Sequence, residues 1–95
     1  MEYFGKKFLF KVIVETLNDL KLRNHAFISA RKIRNIIERK INPNLSSNLL
    51  SRFISISLDW LVASEYLVLI KENSPKKYLI PDKFLINSKN IKIYF

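Results

Sequence analysis

Apolar residues recur along this chain at helical spacing in three successive segments, after which the period changes. From Lys6 to Leu22 the residues Phe8, Leu9, Val12, Ile13, Leu17 and Leu20 fall on one side of a helix. Phe10 and Val14 fall off that side, so the first helix is expected to be apolar over a wide arc. Such an arc suits a central helix packed on two sides. It equally suits a helix that meets a second copy of the chain, because large apolar patches are uncommon on monomers.

Arg23, Asn24 and His25 form a polar break, and Ser29 then stands where an N-cap belongs. Ala30, Ile33, Ile36 and Ile37 make the apolar side of a second helix ending near Lys40, with Arg31, Lys32, Arg34, Asn35, Glu38 and Arg39 outward. Asn42-Pro43-Asn44 is a turn, since Pro lacks a backbone N–H and Asn tolerates turn geometry. A third helix is expected from Ser46 to Ser64, capped by Ser46 or Ser47. Its inward stripe reads Leu49, Phe53, Ile56 and Trp60, widened by Leu50, Ile54 and Leu61.

Beyond Glu65 the pattern becomes extended. Tyr66 to Ile70 and Lys77 to Ile80 are β-branched and aromatic runs, separated by the polar stretch Lys71 to Lys76. They predict a β-hairpin with a basic tip, ended by Pro81 and Asp82. Residues 83–87 make a short extended or helical piece. Ile91, Ile93 and Phe95 alternate with Lys92 and Tyr94, which suggests a last short strand. The fold class expected is therefore mainly α with a small β-hairpin (α+β): three helices and two strands in one domain over residues 1–95. Its core spans about residues 6–84, with 85–95 as an extension.

Composition narrows the class. A chain of 95 residues, 48% apolar and 26% charged, suits one small folded domain. There is no cysteine, so neither a disulfide framework nor a thiolate metal site is available. No stretch is apolar for long enough to cross a membrane, and an intracellular, cytoplasmic location is the default. Lys and Arg number 17 against 8 Asp and Glu, a net charge of +9. That balance favours a polyanionic partner, of which nucleic acid is the commonest, although richness in Ile, Lys and Asn also fits a codon bias.

The outward side of the third helix changes the picture further. It carries Ser47, Asn48, Ser51, Arg52 and Ser55: short polar side chains with one cation, where a merely soluble helix more often shows Glu–Lys pairs. Short polar residues plus an Arg suit a helix pressed into a nucleic-acid groove. An ordinary core helix with a Ser-rich outer side is the alternative.

The order of elements resembles a winged helix-turn-helix domain over about residues 6–84. Phe27-Ile28-Ser29-Ala30-Arg31-Lys32-Ile33 is similar to the start of the second helix in archaeal and bacterial regulators of that family. Leu49-Leu50-Ser51-Arg52-Phe53 and Trp60-Leu61-Val62-Ala63-Ser64-Glu65-Tyr66-Leu67 resemble the passage from recognition helix into wing. Those regulators commonly have Gly before the first wing strand, where this chain has Glu65.

The resemblance implies double-stranded DNA as partner. The third helix would enter the major groove, bringing Ser46, Ser47, Asn48, Ser51 and Arg52 to bases or phosphates. Arg31, Lys32 and Arg34 would contact phosphates from the second helix, and Lys71, Lys76 and Lys77 would do so from the wing. A homodimer through the apolar first helix or the last strand is expected, with no cofactor and no metal.

Other chemistry finds little support. His25 is the sole histidine, the acids are scattered, and one glycine cannot make a phosphate-cradling loop. The serines lack a patterned base or orienting acid, so an enzyme is not expected. Two rival readings stand beside DNA binding: an RNA-binding or ribosome-associated protein with the same basic faces, and a protein-interaction module on the same fold.

Overall fold

The computed structural model describes residues 6–41, 47–73 and 75–84. Three helices and three short strands follow in the order α1 (Lys6–Leu22), β1 (Phe27–Ser29), α2 (Ala30–Lys40), α3 (Ser47–Ala63), β2 (Val68–Lys71) and β3 (Lys77–Leu79). The sheet is antiparallel, with β3 in the middle and β1 and β2 at its edges. The structure is thus mainly helical with a small sheet, as expected, but the sheet has a third strand.

That third strand, β1, lies between the polar break and α2, where the resemblance placed the start of the second helix, and its last residue is the cap Ser29. Phe27, Ile28 and Ser29 pair with Leu79, Tyr78 and Lys77. Three residues are too few to show a period of two against the helical pattern on either side. The pairing is decided by β3, and the Ile80 N–H donating to the Ala26 carbonyl at 2.7 Å extends it. Ser29 then does what its sequence position foretold. Its hydroxyl accepts from the Lys32 N–H at 3.2 Å and caps α2.

Two helices end on residues in the left-handed conformation. Asn24, with φ of 65°, follows α1, where the His25 N–H reaches the Leu20 carbonyl at 2.9 Å and the Asn24 N–H reaches that of Lys21 at 3.0 Å. The same pair of bonds closes α3: Tyr66 N–H to Leu61 O at 2.8 Å and Glu65 N–H to Val62 O at 3.0 Å. Both are Schellman caps, which normally place glycine at the left-handed position. Asn tolerates that position. Glu65, with φ of 67°, holds it at a strain of about 1 kcal/mol. The residue that departs from the regulators' pattern therefore takes the backbone shape that a glycine favours.

The core is one cluster drawn from every element but β2, whose Leu69 packs against it. From α1 it takes Leu9, Phe10, Ile13, Leu17 and Leu20, with Val12 and Val14 packed against it. The wide apolar arc of α1 is thus largely used inside the chain, since α1 packs against both α2 and α3. Phe10, off the main stripe, meets Trp60 edge-on at 5.5 Å, and Trp60 stacks on Tyr66 at 6.1 Å. Phe8, expected inward, is 47% exposed.

The stripe expected on α3 is corrected. Leu50, Phe53, Ile54, Ser57, Leu58 and Leu61 face the core, whereas Leu49 and Ile56 are 57% and 54% exposed. The helix holds two overlapping apolar stripes, and the one that buries Leu58 completely is the one that meets α1 and α2. It brings the Ser57 hydroxyl into the core without a hydrogen-bond partner among the described residues. The strand spans differ slightly as well, since β2 begins two residues later than Tyr66 because the cap of α3 uses the N–H groups of Tyr66 and Leu67. The last strand expected around Ile91 to Phe95, and the Asn42-Pro43-Asn44 turn, lie outside the described residues.

Candidate nucleic-acid interface

The start of α2, the side of α3 and the β2–β3 hairpin enclose an open groove of about 370 Å³. Each wall has a local cause. β1 runs straight into α2, and the Ala30 N–H, one of the unpaired donors of a helix start, donates to the Lys76 carbonyl at 2.9 Å. That bond ties the end of the hairpin loop to the first turn of α2. The inner face of the sheet, Ile28, Tyr78 and Leu69, packs on the core.

Four of the residues singled out from sequence line this groove together: Arg31, Arg34, Ser51 and Lys76. Arg31 is exposed. Arg34, one turn on, is half-buried, and its Nε donates to Glu38 Oε1 at 3.0 Å. Lys76 is half-buried, with Nζ 3.6 Å from Asp59 Oδ1. No acidic residue occupies the first turn of α2, so the positive end of the helix adds to the cations there.

The others are placed around the groove without lining it. Asn48 and Arg52 are exposed on α3, and Lys32 is exposed on α2. Lys71 and Lys77 are exposed partners across the β2–β3 ladder, where the register slips by one residue at Ile70. Two ammonium groups facing each other across strands repel. Ser47 begins α3, and Ser46 lies outside the described residues.

Ser55, Glu72, Pro75 and Tyr78 also line the groove and were not among the expected contacts. Ser55 was legible on the polar side of α3. Tyr78 was not, because alternation along a three-residue strand cannot say which face a neighbouring helix covers. It is 1% exposed, and its phenol pKa is raised above 10.0 by burial first and by the negative charge of Asp59 second.

A second hollow of about 300 Å³ lies between α1 and α2, lined by Thr16, Asp19, Arg23, Arg39 and Lys40 among others. Here a cation serves the fold. Lys40 Nζ donates to the Thr16 hydroxyl at 3.0 Å and sits 3.7 Å from Asp19 Oδ2, while the Thr16 hydroxyl donates to the Val12 carbonyl at 2.7 Å. Arg39 and Lys40 occupy the last turn of α2, where positive charge suits the helix dipole.

Among the described residues no cluster of His, Asp or Glu could hold a metal ion, and His25 is exposed in a loop. No helix among them is long and apolar enough to cross a membrane. Compared with known proteins, the chain matches no family model, no curated protein and no solved structure.

Proposed function

We propose that this chain is a winged helix-turn-helix protein that binds double-stranded DNA and acts as a sequence-selective transcriptional regulator. The observation that carries the reading is the groove, where the start of α2, the side of α3 and the hairpin bring Arg31, Arg34, Ser51 and Lys76 together. The helix pair α2–α3 followed by a hairpin supports the helix-turn-helix assignment. In this reading α3 lies in the major groove with Asn48 and Arg52 toward base edges: Asn suits adenine, and Arg suits guanine. Arg31, Lys32 and Arg34 hold one strand by its phosphates, and Lys71, Lys76 and Lys77 hold the neighbouring stretch. An anion near Lys71 and Lys77 relieves a repulsion that the folded protein otherwise carries. A homodimer belongs to the proposal, because two copies would set a half-site spacing.

One observation favours a second reading, a protein-binding module. On the outer face of the sheet Phe27, Leu79 and Val68 stand in register across all three strands, with Phe27 66% and Val68 45% exposed. Fluorescence anisotropy with labelled duplex DNA across a salt series, beside RNA of the same sequence, separates the possibilities. The DNA reading expects duplex affinity to fall about a thousandfold between roughly 50 and 200 mM salt, as for six or more phosphate contacts. Preference for RNA would replace DNA with RNA as the partner. Binding to neither would leave the protein-binding module.

A further inference from the structure

Asp59 is the one acidic residue on α3, the helix that presents Asn48 and Arg52. On a chain of net charge +9 that would bind a polyanion, a carboxylate on this helix needs a reason. The structure supplies a partner. Asp59 Oδ1 lies 3.6 Å from the Lys76 ammonium, and the two side chains are 60% and 36% exposed. The pair is open to water and within reach of a ligand.

The Lys76 backbone is held independently, by the bond from the Ala30 N–H to its carbonyl and by the Pro75 ring before it. Only the side chain is left to choose a partner. Asp59 does not itself line the groove, but its partner Lys76 does, and its negative charge contributes to raising the Tyr78 phenol pKa.

We propose that Asp59 is a positioning residue of this interface, holding the Lys76 ammonium in the free protein where a nucleic-acid phosphate takes it in the complex. The inference rests on the nucleic-acid reading above. An exposed ion pair contributes little to stability, so exchanging the carboxylate for a phosphate is nearly neutral for the fold. It is not neutral for binding. With Lys76 engaged and a negative charge nearby, any duplex gains less from its phosphates alone, and a larger share of affinity must come from base contacts. Asp59 thereby depresses indiscriminate binding.

The test uses a random-sequence duplex and the full chain with Asp59→Asn, Asp59→Glu, Lys76→Gln and the double variant Asp59→Asn/Lys76→Gln. Asp59→Asn is expected to tighten binding roughly three- to tenfold with a salt slope near the wild type's, because Lys76 meets a phosphate in both complexes and only the competing carboxylate is lost. Asp59→Glu is expected to match the wild type. In the double variant the gain disappears, because it acts through Lys76. An unchanged affinity in Asp59→Asn overturns the proposal, and so does a gain that survives loss of Lys76.

A second readout needs no nucleic acid. In the protein alone, Asp59→Asn is expected to shift the side-chain ammonium resonance of Lys76 and to lower the Tyr78 phenol pKa, both followed by NMR. If wild type binds no nucleic acid while these signals shift, the ion pair stands, but both the nucleic-acid reading and its role in binding fall. If duplex binding holds and these signals do not shift, the Asp59 proposal alone falls.

Discussion

The two ends of α2 carry similar charge and do different things with it. At its start, Arg31 and Arg34 line an open groove with Lys76 and two hydroxyl-bearing residues of α3. At its end, Lys40 is bonded to Thr16 and stands beside Asp19, fastening α2 to α1. The first set is arranged around space, the second around the fold. A net charge is a sum, and the difference shows that part of this one is structural. Cations at a helix end improve the helix itself, whereas Arg31, near the start of α2, stands against the helix dipole and gains from an anion brought to it.

The comparison breaks most visibly if binding is insensitive to which end is changed. Arg31→Ala/Arg34→Ala is expected to weaken duplex binding by about tenfold or more, the loss of two phosphate contacts at moderate salt. Arg23→Ala/Arg39→Ala, the same change of charge at the other hollow, is expected to cost less than about threefold. Anisotropy at one salt concentration compares them, and equal losses would remove the distinction. The smaller converse effect concerns stability. Lys40→Met is expected to lower unfolding free energy by about 1 kcal/mol, through one charge-assisted hydrogen bond and a partly exposed ion pair, while binding stays near the wild type. Urea unfolding measures it. A stable variant that binds poorly would place Lys40 in the interface instead.

The smallest effect lies where α1 meets the segment after β3, with Lys21 Nζ 2.8 Å from Asp82 Oδ1. The hydrogen bond and charge of Lys21 hold the Asp82 carboxyl below its usual value of 3.8. A depressed carboxylate stabilises the fold above the unfolded-state value and loses that contribution as pH falls through the folded-state one. Asp82→Asn should therefore lower stability slightly at neutral pH, where the ionised carboxylate contributes, flatten the acid limb below about pH 4, and match the wild type in stronger acid. Because Asp82 is fully exposed, solvent screening keeps the change slight.

Much of the helical part could be read from the chain. The bounds of α1 and α2 and the Ser29 cap follow from local periodicity and hydroxyl chemistry, which act within a few residues. The groove was half legible. Arg31, Arg34, Ser51 and Lys76 were named from their types and positions, but nothing local said that they meet, or that Lys40 would bond to Thr16, 24 residues away in sequence. The inward side of α3 was misread because its segment contains two apolar stripes of comparable strength. Which one is buried depends on the surfaces that α1 and α2 offer.

The sequence by itself determined three helices, a basic hairpin and a surplus of positive charge, since periodicity, capping and composition are local or additive. The tertiary structure alone decided the third strand, the burial of Tyr78 and Ser57, and the division of cations between the groove and the α1–α2 contact. Those depend on which distant segments pack together, and packing chooses among alternatives that the local pattern leaves equal in energy.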